Sequence, residues 1–486
     1  MGSAVAQLIR EQAPATRVVM VEGGPVIGAT PGMHLHDVPE PELWAAYNAQ
    51  VVSGIQGFYA GATPLPTAAE GPDELEPGMH LLTALHDDAV AMPMAAVAWN
   101  VGGMGAHWTA ATPSPEGHEV FDFGDPEGWA RDLATARRLL GVTDDPFPPS
   151  APARHVLDVL RRRFGGGARA ARPMPMAVTR QPDGRRVRTG PSRIFPPLGS
   201  GGDDRFTLLP GTLATRVEHD RARARGAEVL DIASGERRVL EAAVTIVCAD
   251  TFRTPQLLHA SGIRPDALGR YLTEHTFLTG RVLLDLERSG LTLADLPERR
   301  EDEFASDALW LPHHGEEQPF HGRITNATYT DAAGAPIAYG VSLSLSSPVT
   351  PRPENRMRFD GGTDLLGMPR FELEYGLSAA DDAMLDRARE EHAAILRLFG
   401  EFDPHTEAAL LPAGSSLHPT GTVRAGAEDD GASVTDPDGR VWSFEDLYLA
   451  GNGVIPTAMV ANTTLTATTT AVRAARAALR RLEHQR

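Results

Sequence analysis

The sequence predicts an α/β protein in which a doubly wound dinucleotide-binding domain is discontinuous along the chain and accompanies a second, α+β domain. Three observations support this fold class. The chain opens with a helix followed by an apolar strand that ends in an acid. Further apolar strands are predicted over 243–250 and over 446–451. Between these two, from about 276 to 414, the pattern changes to alternating strands with one long helix near 379–398.

The first two elements resemble half of a dinucleotide-binding unit. Residues 2–11 carry small side chains first and an apolar face next, and Pro14 ends this helix. Residues 17–22 then predict a buried parallel strand that ends in Glu22. In such units an acid about 20 residues beyond the glycine fingerprint binds the adenosine ribose, and Glu22 lies at that distance from Gly2. Both residues are therefore candidates for cofactor binding.

The strand and the first two glycines of a G-x-G-x-x-G fingerprint would have to precede Gly2. We therefore expect Met1 to be an internal position of a natural chain that begins about 15–25 residues earlier. The alternative is a variant that binds its cofactor poorly or through another loop. A non-catalytic scaffold is a further alternative.

Two more segments have a predictable structure. Residues 216–240 predict a hairpin with its turn at 231–235, leading into the strand over 243–250. Residues 305–322, with Trp310, Pro312, Pro319 and Gly322, have the composition of a loop. A substrate-gating loop and a plain surface loop remain equal alternatives there.

Composition excludes several classes of protein. The formal net charge is −19 without a basic block, which argues against nucleic acid and anionic membrane partners. No apolar run is long enough to span a bilayer, and the amino terminus lacks the features of a signal peptide. The chain has one cysteine, Cys248, which fits a reducing compartment, so we expect a cytoplasmic protein. All 45 basic residues are arginine, which excludes Schiff-base chemistry and a phosphate-loop lysine. The histidine pairs at 34/36 and 313/314 lack a third ligand at metal-site spacing, so we expect no metal.

The most specific segment is 100–113, N-V-G-G-M-G-A-H-W-T-A-A-T-P. Its glycines allow the backbone to lie against a flat cofactor ring, where side chains would clash. The segment resembles the flavin-contacting loop of pyranose oxidases.

Two further segments carry the same resemblance. Residues 254–263, T-P-Q-L-L-H-A-S-G-I, resemble a signature of the glucose–methanol–choline (GMC) oxidoreductase superfamily. Residues 418–426 resemble its H-P-x-G-T-x-R-M-G segment with Ala425 in place of methionine, and 461–466 resemble its N-P-T-L-T segment with Thr463 in place of proline. The chain therefore resembles this superfamily, and most closely its pyranose oxidase and C-glycoside oxidase branch.

The resemblance implies a GMC fold whose first strand is missing, FAD as cofactor, and a His/Asn pair, His418 and Asn462, facing the flavin. His418 would take the hydroxyl proton of a pyranose sugar or glycoside while hydride passes to flavin N5, giving a keto-sugar oxidised at C2 or C3. Dioxygen or a quinone-like acceptor would then reoxidise the flavin. Asn462 is expected to begin the last helix, whose dipole would stabilise reduced flavin.

His107 occupies the position that carries a covalent flavin bond in fungal members, although we do not favour that bond here, and Thr109 would lie near flavin N5. A homo-oligomer remains open. The residues expected to contact the cofactor are Gly2, Glu22, Gly102, Gly103, Met104, His107, Trp108, Thr109, Ala110, Val217, Ala249, Thr254, Gly451, Asn452, Asn462, Thr463 and Thr464.

The domain division follows from the same segments. We assign 1–60, 85–125, 196–275 and 415–486 to the FAD-binding domain. The ranges 61–84, 126–195 and 276–414 would form the substrate-binding domain and its connecting loops.

Overall fold

A computed structural model describes residues 1–38, 40, 42, 77–86, 89–144, 146–298 and 308–485. The helices of four or more residues in these ranges are α1 (Gly2–Gln12), α2 (Pro126–Leu140), α3 (Ala151–Phe164), α4 (Pro191–Ile194), α5 (Pro197–Ser200), α6 (Asp250–Ala260), α7 (Leu286–Ser289), α8 (Ala379–Leu396), α9 (Pro404–Glu407) and α10 (Thr464–His484). The strands are β1 (Val18–Val21), β2 (Gly78–Leu81), β3 (Ala96–Trp99), β4 (Arg172–Pro173), β5 (Val178–Arg180), β6 (Arg186–Arg188), β7 (Phe206–Leu209), β8 (Thr212–Asp220), β9 (Arg223–Asp231), β10 (Arg237–Glu241), β11 (Thr245–Val247), β12 (Leu278–Leu283), β13 (Leu309–Leu311), β14 (His321–Thr330), β15 (Pro336–Ser346), β16 (Arg356–Thr363), β17 (Pro369–Glu374), β18 (Ala408–Leu410) and β19 (Leu447–Leu449).

Parallel strand pairs carry the dinucleotide-type half of the molecule. β1 pairs in parallel with β7, with Val18 opposite Phe206, and β11 pairs in parallel with β19, with Thr245 opposite Leu447. The expected strand at 17–22 is therefore present, but the expectation that it is buried was wrong. In the described residues β1 pairs only with β7, and its Val19 is 52% exposed. By contrast, all three residues of β19 are buried.

One helical layer covers these pairs. α10 is buried along most of its length and packs with α1 and α2, because Ala471, Ala474 and Ala478 present a small apolar face to Leu8 and Leu139. Small side chains allow helices to approach closely, which favours a dense core.

A three-stranded antiparallel sheet, β8–β9–β10, precedes β11. The turn expected at 231–235 is correct, since it joins β9 to β10. The expectation of a single hairpin over 216–240 was wrong, because a second turn at Arg221 and Ala222 divides its first strand. Neither residue is a turn former, so no local signal marked this reversal.

The second half of the molecule is built on a six-stranded sheet in the order β18–β12–β15–β14–β13–β4. Every neighbouring pair in it is antiparallel, and α3 and α8 contribute apolar residues to the core on this sheet, including Leu157, Leu160 and Leu396. The structure confirms the predicted α/β class and the predicted strands with one long helix between 276 and 414.

The segment 305–322 is neither the substrate-gating loop nor the plain surface loop that its composition suggested. Residues 305–307 lie outside the described residues, and Leu309–Leu311 form the buried strand β13 between β14 and β4. Trp310 is only 2% exposed and His313 is equally buried. This segment is therefore mostly core, because its apolar residues complete the six-stranded sheet.

None of the helices in the described part of the chain combines the length and the apolar composition that a membrane span requires.

Candidate functional site

His418 lies on a loop whose backbone is fixed by hydrogen bonds to buried side chains. The preceding Leu417 has φ +58°, a left-handed conformation that is rare for a side chain of its size and occurs where surrounding contacts enforce it. The His418 amide donates to Ser416 Oγ at 3.0 Å, and Ser416 Oγ donates to Glu274 Oε2 at 2.5 Å. Glu274 also accepts from the Gly414 amide. The segment immediately before His418 is thus fixed at two positions to one buried carboxyl group.

Both ring nitrogens of His418 have side-chain neighbours. Nδ1 lies 2.9 Å from His275 Nε2, and Nε2 lies 3.3 Å from the amide nitrogen of Asn462. The amide nitrogen is a donor, so Nε2 of His418 is an acceptor in this arrangement. The structure therefore brings together the two residues predicted from the sequence to be catalytic.

The surroundings of His418 favour its neutral form. Burial, with His275, His321 and Arg323 nearby, holds the pKa of His418 well below its usual range. Burial also lowers the pKa of His275 to about 4, while it raises the pKa of Glu274 to about 7. A neutral imidazole with an available lone pair is suited to act as a general base near neutral pH.

His275, His321 and Arg323 were not predicted from the sequence. His321 begins β14, and its Nδ1 accepts a hydrogen bond from Trp310 Nε1 at 3.0 Å. Arg323 is two residues further along the same strand, and burial lowers its pKa to about 10, so it stays charged at neutral pH. For His275, the available signal was its position 12 residues beyond the 254–263 segment.

Asn462 is positioned through the two residues before it. The amides of Val460 and Ala461 donate to Glu119 Oε1 at 2.8 and 2.9 Å, and Glu119 is only 1% exposed. Its second oxygen accepts from the Glu116 amide at 3.0 Å. Sequence reasoning missed Glu119, because 341 and 342 residues separate it from its partners. Asn462 does not begin the last helix as expected: α10 begins at Thr464.

The 100–113 loop forms a tight turn. Gly102 and Gly103 have φ +100° and +53°, and Gly103–Ala106 is a single 3-10 turn. A side chain on Gly103 would meet no atom within 4 Å, so the turn leaves open space beside its backbone. Trp108 is held by its indole N–H, which donates to the Thr189 carbonyl at 3.0 Å.

His107 leaves one polar atom unsatisfied. Its Nε2 donates to Asn100 Oδ1 at 2.7 Å, whereas its Nδ1 is buried and has no hydrogen-bond partner in the described residues. Burial lowers the pKa of His107 to about 4, so the ring is neutral and Nδ1 keeps its lone pair. Buried polar atoms of this kind are normally satisfied, which indicates a missing partner.

Glu22 lies beside this loop. Its carboxylate accepts from the Gly24 amide at 2.9 Å, and a side chain on Gly24 would clash with the Asn100 backbone. Burial raises the pKa of Glu22 to about 7, and Asp250 adds to this. Gly2 begins α1 and faces Met20 on β1, so helix and strand place Glu22 at the edge of the 100–113 loop.

The start of α10 has further unsatisfied atoms. The hydroxyls of Thr463 and Thr466 are buried without a partner in the described residues. Gly451, with φ +119°, donates its amide to Thr470 and lies against Met1, which precedes α1. Asn452 follows in a 3-10 turn and Thr464 begins the helix. Met1, at the amino-terminal end of α1, therefore lies beside Gly451 and the first two turns of α10.

Three further residues expected to contact the cofactor are packed in the core next to the candidate site. The Val217 amide donates to Ser261 Oγ at 2.8 Å, and Val217 packs with Ala249 in a core that also contains Leu257. Thr254 is buried within α6. They adjoin the site in two ways: Thr251 Oγ1 of α6 donates to the Pro419 carbonyl at 2.8 Å, and Asp250, which follows Ala249, contributes to the raised pKa of Glu22.

Taken together, the loop, the two helix ends and the unsatisfied His107, Thr463 and Thr466 atoms fit a large bound group that is flat in part and carries its own hydrogen-bonding atoms. No group of three or more histidine, cysteine, aspartate or glutamate side chains in the described ranges has the arrangement of a metal site.

Comparison with known proteins identifies relatives over the whole chain. The family model described as GMC oxidoreductase matches residues 161–277 and 351–471. A protein named C-glycoside 3-oxidase from Microbacterium trichothecenolyticum is 36% identical over 503 residues, covering 98% of this chain and 94% of the relative. A pyranose 2-oxidase from Emericella nidulans is 27% identical, covering 96% and 87%.

A solved structure agrees in fold. The crystal structure of pyridoxine 4-oxidase from Mesorbium loti superimposes with a TM-score of 0.60 at 16% identity, covering 100% of this chain and 97% of that one. At this identity the likeness concerns the fold alone. Members of this family use FAD. By the extent and identity of these matches, the chain is an oxidoreductase and belongs to the GMC oxidoreductase family.

Proposed function

We propose that the protein oxidises a ring hydroxyl of a pyranose sugar or sugar glycoside to a keto-sugar. The observation that carries this proposal is the His418–Asn462 pair, in which a neutral imidazole exposes Nε2 next to an amide donor. The names of the relatives support a sugar as substrate.

His418 Nε2 is the proton acceptor in this proposal. A substrate hydroxyl within reach of both side chains donates to His418 Nε2 and accepts from the Asn462 amide. The Asn462 amide also holds the oxygen as it becomes a carbonyl. When bound, FAD supplies the acceptor for the hydride that leaves the same carbon.

The residues that would hold FAD are those that leave space or unsatisfied atoms. Glu22 offers a carboxylate to ribose hydroxyls, the 102–110 loop offers its backbone to the flat ring, and Thr463 and Thr466 offer free hydroxyls. We propose non-covalent binding; a bond through His107 Nε2 would break its hydrogen bond to Asn100, and only the buried Nδ1 keeps a lone pair that could form a covalent bond. Acid precipitation tests this point: FAD should appear in the supernatant, and flavin retained in the pellet would contradict it.

We assign 1–60, 85–125, 196–275 and 415–486 to the FAD-binding domain and the remainder to the substrate-binding domain. The parallel pairs β1–β7 and β11–β19 support the first assignment, and the antiparallel six-stranded sheet supports the second.

The position of oxidation is the finer part of the proposal. The relative named C-glycoside 3-oxidase is more similar and more completely covered than the one named pyranose 2-oxidase, which favours C3 of a glycoside over C2 of a free sugar. Reduction of the product with borodeuteride, followed by NMR, locates the oxidised carbon. Peroxide formation and quinone reduction, measured in parallel, identify the electron acceptor.

The deciding experiment is an anaerobic titration followed by visible absorption. Glucose or a C-glycoside should bleach the flavin band of the purified protein. His418→Ala should keep the bound flavin and lose the bleaching, because only the proton acceptor is removed. Bleaching of the variant at the wild-type rate would refute the assignment of His418.

A further inference from the structure

His275 lies directly behind His418 and is only 3% exposed. Its Nε2 is 2.9 Å from His418 Nδ1, on the side of the ring opposite Asn462. Its own Nδ1 is 3.1 Å from the carbonyl oxygen of Thr276. His275 therefore stands between His418 and the backbone.

The direction of these hydrogen bonds follows from the last partner in the series. A carbonyl oxygen only accepts, so the proton of neutral His275 must be on Nδ1, and His275 Nε2 must be an acceptor. His418 Nδ1 must then carry a hydrogen and donate it to His275. The one remaining lone pair of the His418 ring is on Nε2, beside the Asn462 amide.

We propose that His275 is a positioning residue that fixes His418 as its Nδ1–H tautomer and thereby keeps Nε2 free to act as the base. The alternative tautomer would direct an N–H at the substrate hydroxyl and leave two lone pairs facing each other between the histidines. Such a tautomer has no group able to accept the hydroxyl proton.

The backbone on both sides of His275 is held in place, so the two partners of its ring have fixed positions. Thr276 Oγ1 and Ser347 Oγ lie 2.6 Å apart, and the Thr276 amide donates to the Ser347 carbonyl at 3.0 Å. On the other side, Glu274 is bonded to Ser416 and Gly414. A rotation of the His275 ring would break its bonds to both His418 and Thr276.

During the reaction the His418 Nδ1 hydrogen stays in place. The hydroxyl proton moves to His418 Nε2, hydride leaves the same carbon as described above, and the resulting imidazolium keeps donating Nδ1–H to the neutral His275. The partner of His418 is thus a neutral ring and not a carboxylate, so His275 sets geometry and adds no negative charge. The identity of the substrate rests on the proposed function, whereas the tautomer does not.

Nitrogen NMR of holoenzyme labelled with ¹⁵N-histidine tests the inference directly. The chain has 17 histidines, and comparison with His418→Asn assigns the signals of His418. The expected result is a protonated Nδ1 and an unprotonated Nε2. A His418 protonated at Nε2 in the wild type would overturn the proposal.

Variants of His275 supply the second measurement, by anaerobic stopped-flow reduction of the bound flavin. His275→Leu removes the acceptor and should slow reduction about 100-fold with little change in KM, because loss of general-base catalysis costs that much or more. His275→Gln places an oxygen near the position of Nε2 and should recover most of the rate and the Nδ1–H tautomer. The matched control is His392→Gln, since His392 is 1% exposed and bonds the Leu343 carbonyl away from His418.

These results separate the possible failures. Reduction of His275→Leu at the wild-type rate would refute the positioning role. If His275→Leu does not fold, the tautomer of the wild type and the reduction rate of His275→Gln still test the positioning role of His275. If no sugar reduces any variant, the proposed function fails, while the tautomer can still be read from the wild-type spectrum.

Discussion

Substitution of Glu119 should displace Asn462 without changing Asn462 itself. Its side chain receives three backbone amides, from Val460, Ala461 and Glu116, at 2.8 to 3.0 Å. Glu119→Ala leaves these three donors without the carboxylate in a region where Val460 and Ala461 are almost fully buried. Each unsatisfied donor costs about 1–3 kcal/mol, so the expected loss is about 3 kcal/mol or more.

The loss of these hydrogen bonds should also slow catalysis. A displacement of about 1 Å at a reacting group can cost about 100-fold in rate, so Glu119→Ala should reduce the rate of anaerobic flavin reduction at least tenfold. Glu119→Gln keeps one oxygen for Val460 and Ala461 and loses only the bond to Glu116. It should therefore remain within about threefold of the wild-type rate, because that loss, about 1–3 kcal/mol, falls on stability.

Stopped-flow reduction and thermal melting followed by circular dichroism measure the two effects separately. Asp122→Asn is the control, because it also replaces a carboxylate in the 116–125 connection, and this carboxylate accepts from the Gly124 amide at 2.9 Å instead of from the amides before Asn462. Glu119→Ala reducing at the wild-type rate would refute the reasoning that Glu119 positions Asn462.

Three further predictions follow from the same contacts. His418 has a pKa well below its usual value, so it stays neutral as the pH falls, and its protonation should not slow flavin reduction between about pH 8 and pH 6; a decrease centred on about pH 6.5 that persists in Glu274→Gln, which lacks the carboxyl group of pKa about 7, would contradict this. Asn462→Ala removes the amide donor and should slow reduction about tenfold or more while FAD stays bound, as measured by stopped-flow; an unchanged rate would show that the amide does not contact the hydroxyl. Trp310→Phe leaves His321 Nδ1 without its donor and should lower stability by about 1–3 kcal/mol in urea unfolding, whereas an unchanged midpoint would mean that water replaces the indole.

Local sequence patterns were sufficient for much of the fold. The small and apolar spacing of α1, the apolar strand at β19 and the turn after β9 are all properties of neighbouring residues. The division between β8 and β9 was missed because Arg221 and Ala222 have no turn preference of their own. The burial of β13 was missed because its composition is that of a loop, while its partners β14 and β4 decide its environment.

The residues of the candidate site also fall into two groups, those that the sequence predicts and those that it does not. His418 and Asn462 stand in segments with a recognisable pattern, and their side chains meet as predicted. His275 and Glu119 stand in no pattern that assigns them a role. They reach the site across 143 and 341 residues of chain, so only the folded arrangement reveals them.

The groups that lower the pKa of His418 also bear on which substrates the site accepts. Within the described residues, those groups are two histidines and Arg323, which remains a cation at neutral pH. Like charges about 4 Å apart repel by about 4 kcal/mol at the effective dielectric near a protein surface. An amino sugar bound against His418 would bring its ammonium group towards this cation. The enzyme should therefore discriminate against aminated sugars and in favour of neutral ones, by charge and independently of shape.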